Sequence, residues 1–274
     1  MKIAVVHLTR MARGFACVAG VNVENGQHVR PVLTAQRLGD QWCARQGGPF
    51  DMATVVDLGA VRPVPTLPEV EDHAFSPWRA RADRAIEPVL FWEMLCHLAK
   101  PTLREVFGPD LRSRGPRSAG VDPGVGSASL GVLAPIGRPL LFVREDDDGT
   151  QKLRLQCTDG DFSLDLSVTD LRLWQDDHKT PRHELVEDVA RRLRQGVPCL
   201  LSVGLTRRLS GRGDRPPIHW LQINNLHLED NPTWRLSDEA RALPRHTLVT
   251  PGARGAWSAS RPPDDDADLD DLPF

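Results

Sequence analysis

The stretch KIAVVHLTRMARGFACVAGVNVENGQHVRPVL, residues 2–33, decides the fold class. Residues 2–9, 15–23 and 27–33 are apolar, β-branched runs, broken at Gly14 and at Asn25-Gly26. An Asn-Gly pair between such runs is a strong hairpin signal, because the tight turn needs residues that tolerate positive φ. The chain therefore opens as a β-meander. A further strand is predicted over 53–61, after a loop holding Trp42, Gly47, Gly48 and Pro49, whereas residues 62–88, rich in Pro, Arg and Asp, read as irregular. Leu90, Phe91, Met94, Leu95, Leu98 and Leu103 recur at near-helical spacing, which predicts a helix over 88–107 that Pro101 breaks or restarts.

Residues 108–128 hold Gly, Pro, Ser and Arg with hardly any large apolar residue, the composition of a linker. Strands resume at 130–134, 139–145, 151–157 and 161–168, with Asp147-Asp148-Gly149 and Asp159-Gly160 as turns. An amphipathic helix follows over 183–194, ended near Gly196, and then strands at 198–206 and 217–227. Beyond Trp234 no periodicity remains, and disorder is the expectation there. The fold class is mainly β with a few helices (α+β): two OB-like β-barrels over 1–107 and 129–235, the linker 108–128, and a disordered acidic tail over 236–274. A weak internal echo, Leu8-Thr9-Arg10 against Leu205-Thr206-Arg207, each after a strand, suits such a pair.

No run of about 18 apolar residues occurs, and the N-terminus has no signal-peptide h-region, so a cytoplasmic protein with no membrane partner is expected. The five cysteines are odd in number and scattered, with no C-x-x-C pair, and read as reduced core thiols. Net charge is −3, but six aspartates fall within residues 264–271, which leaves residues 1–263 at +3. The cations are almost all arginine, the side chain that grips phosphate bidentately and stacks on bases.

Three stretches read together carry a family resemblance: residues 2–10 with Cys17-Val18-Ala19-Gly20 and Val29-Arg30-Pro31-Val32; Gly204-Leu205-Thr206-Arg207; and His219-Trp220-Leu221-Gln222-Ile223-Asn224-Asn225. They resemble the prokaryotic dual OB-fold (DuOB) domains over about residues 1–235, with His28-Val29 where the family has a tryptophan before Arg-Pro. The resemblance implies a pair of OB barrels engaged in nucleic-acid transactions, in defence or mobile-element settings, without an assigned catalytic activity. Residues 264–274, DDDADLDDLPF, look like the acidic tip of bacterial single-stranded DNA-binding (SSB) proteins. In such a tip the terminal Phe enters an apolar pocket while the aspartates steer toward a basic surface.

An OB barrel holds a single strand with a basic groove and aromatic platforms. The chain has no tyrosine, so stacking falls to tryptophan and phenylalanine. Trp42 and Trp78, among Arg37, Arg45, Arg79, Arg81 and Arg84, are the predicted rim, with Trp220 on a strand that alternates with polar residues, while Trp92 belongs to the core. Arg10, Arg13, Arg30, Arg207 and Arg208 gather near the two Leu-Thr-Arg turns as predicted phosphate contacts. Asp268, Asp270, Asp271, Leu272, Pro273 and Phe274 are the predicted contacts to a partner protein with a basic pocket.

No P-loop, nucleophile elbow, zinc-protease, deaminase or Rossmann fingerprint occurs. His178 and His183 flank Pro181, without the spacing of helical metal ligands, and Glu69, Glu71, Asp72 and His73 form an acidic loop. No enzyme, cofactor or metal is expected. The expected function is non-catalytic binding of single-stranded DNA or RNA, with the tip recruiting another protein. The alternative is an adaptor subunit of a larger nucleic-acid-processing or defence complex.

Overall fold

The computed structural model describes residues 1–34, 36–208 and 217–238. The opening meander forms as expected: β1 (Lys2–Arg10), β2 (Ala16–Asn22) and β3 (His28–Val32) run antiparallel, with Gly26 at φ 73° in the second turn. On the other side of β1 lies β4 (Thr54–Asp57), and the sheet is completed by β5 (Val61–Pro63), β6 (Asp72–Phe75) and β7 (Arg81–Ala85) in the order β5-β6-β3-β2-β1-β4-β7. These last three strands occupy the stretch read as irregular. They carry no alternating apolar pattern, since β7 is Arg-Ala-Asp-Arg-Ala with every residue exposed.

Helix α1 (Pro88–Leu98) stops before Pro101, and α2 (Leu103–Phe107) starts beyond it, capped by the Thr102 hydroxyl, which accepts from the Glu105 N–H at 3.2 Å. Between them β8 (Ala99–Lys100) crosses to the second half of the chain. The predicted linker is built into that half: β9 (Arg112–Ser113) and β10 (Ala119–Val121) pair with each other, and Leu111, Ala119 and Val121 are fully buried. Small apolar side chains suffice there, because a glycine-rich hairpin lies close against its neighbour; a Cβ on Gly120 would sit 2.8 Å from the His219 carbonyl oxygen.

Next come β11 (Leu130–Leu133), β12 (Ile136–Glu145), β13 (Gln151–Thr158), β14 (Ser163–Ser167), α3 (His183–Gln195), β15 (Cys199–Leu205) and β16 (His219–Leu228), all close to their predicted bounds. Gly196 ends α3 at φ 87° as a left-handed cap. They form the sheets β8-β11-β15-β16-β10-β9 and β12-β13-β14. The protein is thus mainly β, with curled sheets of OB type around two cores. One centres on Ile3, Leu8, Phe50, Met52 and Phe91, and the other on Leu155, Leu166, Trp174, Val189 and Ile223, joined by Leu103 and Phe107 of α2. Among the described residues no helix is long and apolar enough to cross a membrane.

The two halves meet along a polar seam. β1 is buried on both faces, one in its own core and one against the second half. Asn225 on β16 accepts from the Leu8 N–H at 2.7 Å and donates to the Leu8 carbonyl at 3.1 Å, while the Ser202 hydroxyl donates to the Val6 carbonyl at 2.8 Å. Paired side-chain amides and hydroxyls thus satisfy backbone groups that a flat apolar joint would leave stranded.

Candidate nucleic-acid interface

Trp78 stands in a turn, Pro77–Arg79, whose proline fixes the first φ. The guanidinium of Arg81 locks this turn by donating to the carbonyls of Trp78 at 2.7 Å and Ala80 at 2.8 Å. Trp42 comes from the loop after β3, which closes because residue 48 is glycine: a Cβ there would lie 2.1 Å from the Trp42 backbone. The two indoles meet edge to face, centroids 4.9 Å apart at 75°. Trp42 is half-buried against the first core and holds the pair in place, while Trp78 is 76% exposed.

From this pair the chain runs straight into β7, the edge of the first sheet. Arg79, Arg81 and Arg84 are exposed here, and Asp83 among them accepts from Lys2 at 2.9 Å and lies 3.5 Å from Arg84. An exposed indole followed by a row of guanidiniums on a sheet edge offers a stacking face and phosphate donors in sequence.

Arg13 and Arg208 are also exposed, but the other predicted contacts are committed elsewhere. Arg45 pairs with Asp176 at 2.9 Å and reaches the Trp174 carbonyl at 3.4 Å. Arg30 is 3% exposed and donates to Asp72 at 2.6 Å, so no phosphate reaches it. Trp220 is 8% exposed, its backbone N–H donating to the Thr206 hydroxyl at 2.9 Å, which leaves no face for a base. Arg10 lies over the Trp174 ring at 3.7 Å and donates to the His178 carbonyl at 2.9 Å, while Arg207 reaches Asp72 at 2.6 Å and Glu69 at 3.7 Å. The two Leu-Thr-Arg arginines therefore clasp across the seam in opposite directions. Asp268, Asp270, Asp271, Leu272, Pro273 and Phe274 lie outside the described residues.

The acidic loop is the other half of this clasp. Glu71 accepts from the Ser129 N–H at 2.8 Å, the Ser129 hydroxyl at 2.7 Å and the Leu130 N–H at 3.2 Å, and Glu69 lies 3.5 Å from His219. Beside it, His7 and His28 meet edge to face at 5.5 Å, and His7 contacts the Asn224 amide at 3.1 Å. Burial lowers the pKa of His28 to about 4. It holds His7 well below the usual imidazole value, and protonation of His28 or His227, like the Arg30 charge, opposes a proton on His7 further. Both rings are neutral at pH 7 and serve as packing.

His178 is buried beside Met11, whereas His183 faces Gln151, so the two do not converge. Among the described residues no cluster of three or more His, Cys, Asp or Glu side chains is arranged to hold a metal. Cys43, Cys157 and Cys199 are free thiols that burial pushes up to about 12, whereas Cys96 is exposed.

No curated protein and no solved structure matches the chain. A family model described as the dual OB-containing domain matches residues 1–226, which takes in both curled bodies, the Trp42–Trp78 rim and the seam. The chain belongs to the dual OB-containing domain (DuOB) family.

Proposed function

We propose that the protein binds single-stranded nucleic acid without catalysing a reaction on it, along the rim that starts at the Trp42–Trp78 pair and follows β7. The observation that carries this reading is Trp78, 76% exposed yet held edge-on by a second indole and flanked by Arg79, Arg81 and Arg84. A large aromatic face normally finds cover; one braced at the surface among arginines is suited to a base. OB barrels serve nucleic-acid or oligonucleotide binding in general, and the family match supports that coarser level. The acidic tip would then recruit a second protein to the bound strand, as its resemblance to SSB tips implies.

The test is fluorescence anisotropy with labelled single-stranded DNA, single-stranded RNA and duplex over a range of salt. If the three exposed arginines each neutralise one phosphate, log affinity falls with log salt at a slope of about −2. Single strands should outcompete duplex. Absence of binding to all three would exclude the reading and favour the adaptor role, in which the same edge pairs with protein.

A further inference from the structure

The second half carries a cleft of about 250 Å³ beside strands β12, β13 and β14, far in sequence from the Trp42–Trp78 rim. Its lining is mixed: Ile136, Leu140, Leu164 and Cys157 are joined by Gln156, Thr158 and Ser163, and two exposed guanidiniums, Arg117 and Arg138, stand at its margin. Ile136 is 55% and Leu140 43% exposed, two large aliphatic side chains left open to water on one strand. Arg138 is held at the mouth by a bond to the Arg194 carbonyl at 3.1 Å, at the end of α3. No carboxylate lines the cleft. Asp165, next to Leu164, points its carboxylate at Arg154, 2.8 Å away, and Asp159, next to Thr158, is buried and accepts from the Leu103 N–H at 2.7 Å.

Two exposed aliphatic side chains beside two guanidiniums, with no carboxylate in the lining, suit a ligand that carries apolar side chains next to acidic ones. Residues 264–274 of this same chain have that composition: six aspartates around Leu269, Leu272, Pro273 and Phe274. We propose that this cleft is the docking site for the acidic segment 264–274 of the chain itself, with Leu272 and Phe274 against the exposed Ile136 and Leu140 and Asp270 and Asp271 facing Arg117 and Arg138. The inference rests on the reading of that segment as a docking element and gives it a receptor within its own molecule. Reach is sufficient. The described chain leaves the first half at Arg235–Asp238, where Arg235 donates to the Ile86 carbonyl at 2.8 Å and Asp51 accepts from the Leu236 and Ser237 N–H groups. Residues 239–263 then intervene, and a chain of that length extends to at most about 80–90 Å. A compact body of this size has a radius of gyration of only about 18 Å. Tethering would place the segment at roughly millimolar effective concentration beside its cleft.

A labelled peptide of residues 264–274 tests the proposal on three full-length proteins. The first is wild type; the second carries Asp270→Lys, Asp271→Lys and Phe274→Ala to disable its own segment; the third adds Arg117→Glu and Arg138→Glu to the second. The disabled protein should bind the peptide at least tenfold more tightly than wild type, in which the tethered segment occupies the cleft. The Arg117→Glu, Arg138→Glu protein should lose binding tenfold or more and recover it for a peptide with lysine at 270 and 271. Ile136→Asp in the disabled background, a change at an exposed position, should weaken binding similarly and guards against a folding defect at the α3 terminus. No binding by the disabled protein, or binding undiminished by the arginine changes, overturns the proposal. So does loss of oligonucleotide rather than peptide binding in the arginine variant, which would assign the cleft to phosphate. Oligonucleotide titration of the disabled protein reports separately on strand binding at the Trp42–Trp78 rim.

Discussion

At the scale of single residues, the two kinds of arginine in this chain do opposite work. Arg79, Arg81 and Arg84 face water, and Arg10, Arg30 and Arg207 are spent inside the joint between the halves. Residue type alone does not separate them; their partners lie elsewhere in the chain. Trp78→Ala should leave the thermal midpoint unchanged while lowering single-strand affinity by about 1–3 kcal/mol, the worth of one stacked base, as read by anisotropy. Asp72→Asn should do the reverse, because it leaves Arg30 buried without its counter-charge. Chemical denaturation should show a loss of about 3–5 kcal/mol. If Trp78→Ala unfolds the protein instead, the indole is structural and the rim is not a binding surface.

At the scale of elements, strands with alternating or continuous apolar runs were legible: β1 to β4 and β11 to β16 fall close to where their patterns put them. The helix break at Pro101 and the end of α3 at Gly196 were legible for equally local reasons. What the sequence hid were β5, β6, β7, β9 and β10, short pieces whose side chains are polar, glycine or exposed and whose strand geometry comes wholly from the neighbour they pair with. β7 matters most, since it carries the candidate rim, and its signal of Trp-Arg-x-Arg-x-x-Arg was visible only as composition. The acidic loop was equally visible as charge, but its partners Ser129, Arg207 and His219 lie far along the chain. Gly196→Ala should cost about 1 kcal/mol, because alanine resists a φ of 87° and its Cβ would meet the Arg138 guanidinium at 3.2 Å, and a urea melt would measure it. Glu71→Ala should cost more, about 3 kcal/mol, since three donors from the start of β11 lose one acceptor pair inside the joint.

At the scale of the whole molecule, β1 is buried between both halves, and the joint combines apolar packing of Val132, Leu171 and Leu200 with buried hydrogen bonds and ion pairs. The described body should therefore unfold in one calorimetric transition at pH 7, and two resolved transitions would show that the halves stand alone. Acid should weaken it early. His7, His28 and His227 have folded pKa values below their unfolded ones, so their neutral packing contributes fully above about pH 6.5. That contribution is lost as pH falls, down to about 4 in the case of His28. Stability measured by denaturant between pH 7 and 4 should decline over this window, less steeply when His28 is replaced by Phe. The reciprocal grip of Arg10 and Arg207 has one further consequence, for inheritance. A gene segment encoding one barrel cannot be exchanged with a relative's unless the incoming barrel brings the matching carboxylate, aromatic ring and amide, so substitutions along the seam should be passed on in pairs while the β7 edge is free to change alone.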